Sequence, residues 1–302
     1  MTSNLTTPVT RTVNCPASRC GHRVTAAGQL GRSTMLASGI LLMTLSLLVL
    51  LSWQADETQL SKVATSLVAA DDVPSHRATT ILHFVYGNGG FAKNHTYFLV
   101  SQFGPTPVQV LKHGGDCDDK SRLLVALLRK VGIHSTPVML FDDFRHPTHV
   151  VVEAEIESGR MELDPVYDLY FPRSDGGFYA SAELRKDPQI LRDRLERASS
   201  QVGKARYYHV ETSSYAYAST FNWERNWFTR AAKAVVQKFY GDGVYQLSRP
   251  DFIEDPKLMV AGLMAAPALT AFALSVFCTG SLRHKTRELG GVRTVRTPFA
   301  EY

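Results

Sequence analysis

Cys117 is the residue whose surroundings most demand a chemical account. It stands in GGDCDDKSRLL, residues 114 to 124, behind two glycines and among Asp116, Asp118 and Asp119. Further along, His149 opens the stretch HVVVEAEI and Asp164 closes MELD before Pro165. A thiol, an imidazole and a carboxylate can operate as nucleophile, base and orienting group. The imidazole takes the thiol proton, the resulting imidazolium offsets the nearby aspartates, and Asp164 fixes the ring. Many chains contain such a trio, so the elements between these residues decide whether they can meet.

The stretch after Cys117 reads as a helix. Leu124, Leu127, Leu128 and Val131 recur at i, i+3, i+4 and i+7, Leu123 and Ala126 widen the stripe, and Gly132 suits the C′ position that ends it. Cys117 then lies at the helix N-terminus, where free N–H groups and the positive end of the macrodipole favour a thiolate and can bind an oxyanion. Asp116 suits the N-cap, and Gly114 and Gly115 suit a tight turn that lets substrate approach closely. The backbone N–H of Cys117 is the one oxyanion donor that the pattern names. After Gly132, residues 134–141 and 149–156 read as strands around a polar turn, and MELDP as a third short strand. Alternation puts His149, Val151, Glu153 and Glu155 on one face, with Val150, Val152, Ala154 and Ile156 on the other. The second, apolar face is the one expected to pack on the core.

Other groups compete less well. His146 is the nearest rival base, but it falls in the turn beside Pro147; His113 and His134 read as loop or helix-flank residues. A zinc site of His113, Asp116, Cys117 and His149 would lack any close ligand pair. Cys15, Cys20 and His22 in the amino-terminal tail make a sparse ligand set, and Asn94-His95-Thr96 is only a sequon. The charged run 181–201 reads as a solvated helix after Pro188, and Trp223, Trp227 and Phe228 precede a helical stretch ending at Tyr240. Those aromatics fit either a membrane-interface helix or packing on the domain.

Two apolar runs set the wider organisation. Residues 35–53 are 19 without a charge and residues 258–282 are 25, each long enough to cross a bilayer. The first lacks a cleavage-like site after it, so an anchor is favoured over a cleaved signal. Residues 1–34 carry +4 and residues 283–302 carry +3, which leaves −2 for everything between out of a net +5. The positive-inside rule puts both tails in the cytoplasm. Residues 54–257 then form a domain on the outer side, the periplasmic or extracellular face of a bacterial inner membrane. The basic balance is a topology signal and does not indicate nucleic-acid binding. Cys117 is the lone thiol of that outer domain, which excludes a disulfide within it and makes an inert structural cysteine a costly choice in an oxidising compartment.

TPVQVLKHGGDCDDKSRLLVALLRKVGI, HVVVE and LDP together resemble the core of the transglutaminase-like superfamily, and RATTILHFVYGNGG resembles its preceding helix. The resemblance covers about residues 76–172. Within the superfamily the bacterial transglutaminase-like cysteine proteinases are most similar, with FNW at Phe221 to Trp223 as a further point of likeness. It implies an α+β, papain-like core, thioester chemistry, and the roles of nucleophile for Cys117, general base and acid for His149, and orienter for Asp164. Val151 stands where many members have an aromatic residue, and the tryptophan that some members place before the cysteine has no counterpart here. No calcium-type acidic loop is present, so neither metal nor cofactor is expected. The expected activity is acyl transfer at a peptide or other amide, more readily hydrolysis than transamidation, with cell-envelope protein or peptidoglycan as available substrate. The competing reading is a catalytically silent binding or membrane-assembly module.

Overall fold

The computed structural model describes residues 17–202, 214–224, 227–247, 249–250 and 254–289. Cys15, residues 207–213 of the tyrosine-rich run, and the ends of both tails lie outside them, as do the side chains of Cys20, His22, Phe228 and Cys278. The chain forms two compact units, residues 1–47 with 262–302, and residues 48–261.

The smaller unit holds the outer parts of two long helices, α1 (Ala17–Leu67) and α8 (Pro256–Leu289). Stretches of both, Ser33–Leu67 and Pro256–Phe277, are long and apolar enough to cross a membrane. They meet through small residues: a Cβ placed on Gly39 would lie 3.5 Å from both Ala268 O and Ala271 Cβ. Small side chains at such a contact let helix backbones approach where hydrophobic driving force is weak. Pro267 sits inside α8 without ending it.

The larger unit is built on a five-stranded antiparallel sheet of order β4-β3-β2-β1-β5. The strands are β1 (Ser135–Phe141), β2 (Pro147–Ile156), β3 (Gly159–Asp164), β4 (Leu169–Tyr170) and β5 (Ser214–Ser219). Two further helices precede the sheet, α2 (Pro74–Gly87) and α3 (Pro107–His113), and α4 (Cys117–Lys130) lies against it. Leu123, Leu124, Leu127 and Leu128 of α4 pack with Ile81, Leu82 and Val85 of α2 and with Val152, Ala154 and Ile156 of β2. The expected apolar strand face is thus the one that receives the cysteine helix. α1 does not stop at the end of its apolar run: it continues to Leu67 and buries Leu60 and Ala64 in this same core.

The opposite face of the sheet is also covered. Val138, Leu140 and Val151 pack there against Leu184 of α5 (Ser181–Lys186) and Leu191 and Leu195 of α6 (Pro188–Val202). The charged run therefore includes a lid over the histidine face rather than forming a purely solvated helix. Its three leucines, spaced 7 and 4 apart, supply the stripe that its charges obscure. Past β5 come α7 (Trp227–Tyr240) and a 3-10 turn, Gly241–Gln246.

The carboxyl end of α4 is tied to α1. Arg129 Nη2 lies 3.0 Å from Glu57 Oε1, and Lys130 pairs with the other oxygen of the same carboxylate. α4 itself closes in a Schellman motif, with Ile133 N–H donating to Leu128 O and Gly132, at φ 76°, donating to Arg129 O.

Candidate active site

Register brings the strand residues together. β2 and β3 pair with Val152 opposite Leu163, so Asp164 falls beside Val151 on the other face, and His149, two residues along that face, is its diagonal neighbour. The Nε2 of His149 lies 2.8 Å from Asp164 Oδ2. Asp164 is itself fixed, because its Oδ1 accepts from the backbone N–H groups of Val166 and Tyr167 at 2.9 and 3.2 Å. Both side chains are almost wholly buried, and the ring of Tyr167 lies 5.5 Å from that of His149. Cys117 is partly buried and packs against the cluster that holds Val151 and Tyr167, and it is one of the groups that raise the proton affinity of His149. With Nε2 held by Asp164, Nδ1 is the ring nitrogen outside that bond.

Burial alone would disfavour a charged imidazole. The Asp164 carboxylate, its hydrogen bond and the contact with Cys117 outweigh that cost and push His149 up to about 10 from its ordinary 6.5. This environment favours the protonated ring, so the imidazolium that forms when His149 takes the thiol proton is stabilised beside the sulfur.

The loop before the thiol is set by close backbone approach. A Cβ on Gly114, at φ 72°, would lie 2.2 Å from Gly89 O, and one on Gly115 would lie 2.3 Å from Asp119 Cβ. These glycines are thus required by the chain's own packing. Asn94 is buried behind them and its Nδ2 donates to Gly114 O at 2.8 Å, so the sequon is a structural clamp on the loop that carries Cys117.

The acidic neighbours are all engaged. Asp116 caps the helix, its Oδ1 accepting from the N–H groups of Asp118 and Asp119 at 3.1 and 3.2 Å, while its own N–H donates to Asp119 Oδ2. Asp118 pairs with Arg122 at 3.0 Å. Burial first, and then the charge of Asp116, push the Asp119 carboxyl up to about 6. Each carboxylate has a local task, and His149 supplies the opposite charge nearest the sulfur.

Two residues of α4 that the sequence pattern passed over complete the frame. Lys120 is buried, and its Nζ donates to the carbonyls of Val85, Tyr86 and Asn88 at 2.9, 2.9 and 3.2 Å. It ties off the carboxyl end of α2, and burial pulls its ammonium down to about 8. Ser121 Oγ donates to Val150 O at 3.0 Å, pinning the cysteine helix to the strand next to His149. A lysine in the first turn of an apolar helix was the available signal; its target lay some thirty residues away.

The rival groups lie elsewhere. His146 is exposed and pairs with Asp142 across the β1–β2 turn, and exposed His134 faces Glu155. His113 is exposed at the end of α3. Among the described residues no three His, Cys, Asp or Glu side chains are grouped to hold a metal ion.

Behind Asp164 on the same face lies a second polar group. Glu162 and Glu153 are cross-strand partners, and Glu162 is fully buried. Ser181 Oγ donates to Glu162, while Ser181 N–H donates to Glu153 Oε2 at 2.9 Å. Burial, and next the charge of Glu153, push Glu162 well above the carboxylate range. Its charged form is thereby disfavoured, and the carboxylate bonded to His149 is that of Asp164.

No curated protein and no solved structure matches the chain. A family model does: residues 61–165, which run from the end of α1 through the cysteine helix to the residue after Asp164, match the transglutaminase-like superfamily. The chain therefore carries a transglutaminase-like superfamily domain of mixed helix and antiparallel sheet, joined to two helices of membrane-crossing length.

Proposed function

We propose that the protein is a membrane-anchored cysteine enzyme that cleaves an amide through a thioester, with Cys117 as nucleophile, His149 as general base and acid, and Asp164 as the orienting carboxylate. The observation that carries this reading is the buried His149–Asp164 pair, with the partly buried Cys117 at the start of α4 among the groups that raise the proton affinity of His149. In the first half-reaction the thiol proton passes to His149 and the sulfur attacks the carbonyl carbon. The oxyanion forms at the N-terminus of α4, where the helix dipole and the Cys117 N–H oppose its charge. Asp116 directs its capping to Asp118 and Asp119, which leaves the Cys117 N–H outside that capping pair. The leaving amine takes the proton from His149, and the acyl group stays on sulfur. Water then gives its proton to His149, attacks the thioester, and releases the acid and the thiol.

Water is favoured over an amine as acceptor because none of the described features forms an amine-binding lid. α1 and α8 serve as the anchors, with both tails on the cytoplasmic side. A peptide or protein amide close to the outer membrane surface is the substrate class within reach. The test is active-site trapping on the full chain: incubation with cell-envelope extract, acid quench and mass measurement of the peptide bearing Cys117. An acyl adduct on wild type that is absent from His149→Gln supports the reading. Alkylation of Cys117 by iodoacetamide no faster than a free thiol near neutral pH, with no adduct, overturns it.

A further inference from the structure

α7 has a face that the domain does not use. Val235 is 57 % exposed and Phe239 81 %, and Trp227, four and eight positions before the stripe continues through Ala231 and Val235, is 75 % exposed. Residues 227, 231, 235 and 239 follow one another at intervals of four, so they form a single apolar stripe along the helix. The other side is the one attached to the domain: Lys233 pairs with Glu224 at 2.9 Å and lies 5.0 Å over the Tyr245 ring. The helix carries Arg230, Lys233 and Lys238 and no acidic residue. An exposed apolar stripe that includes Trp227 and Phe239, with Lys238 beside it, Tyr240 exposed at the helix end and only cations among the charges, is the pattern of a segment lying in a bilayer interface.

The segments that flank this helix are packed on the domain. Trp223 Nε1 donates to Val244 O at 3.3 Å, joining the segment before α7 to the turn after it, and the Phe221 and Trp223 rings lie 5.1 Å apart. The Arg249 guanidinium lies 5.8 Å over Phe221, and its Nε is 2.8 Å from Glu254 Oε1. Three residues later Lys257, in the first turn of α8, lies 2.6 Å from Asp56 Oδ2 and donates to Ser52 Oγ of α1 at 2.8 Å. The segments on either side of α7 are thus packed within the larger unit, which also holds Ser52, Asp56 and Lys257.

We propose that α7 lies in the outer leaflet interface of an anionic bilayer, with Trp227, Val235 and Phe239 inserted between headgroups and Arg230 and Lys238 on lipid phosphates. This rests on the reading of α1 and α8 as membrane anchors and goes beyond it by giving the domain a third, lateral attachment. Aromatic side chains favour the headgroup region, and each basic residue there adds attraction to anionic lipid that salt screens. The attachment holds the β5 side of the domain to the membrane, whereas two helices alone would leave it free to tilt.

The chain's three tryptophans make the test. The full chain is reconstituted into vesicles of brominated phosphatidylcholine, with and without phosphatidylglycerol, and fluorescence quenching is compared with unbrominated vesicles. Trp53 reports the first anchor, Trp223 is buried and gives the background, and Trp227 reports α7. The Trp53→Phe chain is expected to be quenched, more so with phosphatidylglycerol. That quenching is expected to vanish on adding Trp227→Tyr, and also on adding Val235→Glu with Phe239→Glu. These positions are exposed, so the substitutions leave the core intact. Quenching of Trp53 but not of Trp227 overturns the α7 proposal and leaves the anchors standing. An unquenched Trp53 overturns the anchor reading and this proposal with it. A disulfide between two chains through Val235→Cys, with Trp227 unquenched, assigns the face to a second copy and also overturns it.

Discussion

The two faces of the central sheet are made by the same strands but follow opposite rules. On the face under α4, Val152, Ala154, Ile156, Met161 and Leu163 meet a wall of leucines, and Lys120 and Ser121 nearby are tied to backbone carbonyls. On the other face, which α5 and α6 cover, β2 and β3 carry buried His149, Glu162 and Asp164 and half-buried Glu153. The first face draws its stability from area removed from water, which is tolerant of geometry in detail. The second keeps its charges only because each has a partner at hydrogen-bond distance, and there a missing partner is costly. Holding a site and holding a fold are thus divided between the two sides of one β-ribbon.

The largest effect expected on this division is on the dry face. Leu127→Ala removes a fully buried side chain and should cost about 2–5 kcal/mol, read as a drop of roughly 5–15 °C in the melting temperature of the detergent-solubilised chain. Its effect on alkylation of Cys117 below the melting range should be slight. Next, His149→Gln should slow iodoacetamide alkylation of Cys117 near neutral pH by roughly 10²-fold; an unchanged rate would mean that the polar face does not activate the thiol.

Two smaller effects sharpen the contrast through pH and charge. Because folding raises the affinity of Glu162 for its proton, its contribution to stability is full below its ordinary carboxylate range and is lost as pH rises through its folded value. Glu162→Gln, which mimics the neutral acid, should be within about 1 kcal/mol of wild type at pH 5 and lose less stability toward alkaline pH. His149 works in the same sense, its contribution being full below 6.5 and lost as pH rises through about 10, so melting curves of the two variants across that window separate their shares. The smallest effect should be that of Asp118→Asn, which breaks an exposed pair with Arg122 and should change stability by less than about 0.5 kcal/mol. A large loss would give the acidic rim a structural weight that its geometry does not indicate.

The legible parts of this fold were those written in local periodicity. The leucine spacing gave α4, Gly132 gave its end, and a hairpin whose register is fixed by its apolar alternation put His149 and Asp164 on one face. The α+β class followed from those elements. What could not be read was contact between distant segments. Gly89 against Gly114, Asn94 on the Gly114 carbonyl and Lys120 on the end of α2 each join residues 20 to 35 apart, with no periodic signal to announce them. The alternation of β2 was read correctly but its meaning was incomplete, because the leucines that cover the histidine face sit in a run dominated by charge.

One tie described above has a mechanical consequence. Arg129 and Lys130 clamp the last turn of α4 to Glu57, four residues beyond Trp53 on α1. Fourteen helical residues span about 20 Å, and Cys117 begins that span. With its far end held by that clamp, α4 acts as a ruler that fixes the distance of the thiol from Glu57 on α1.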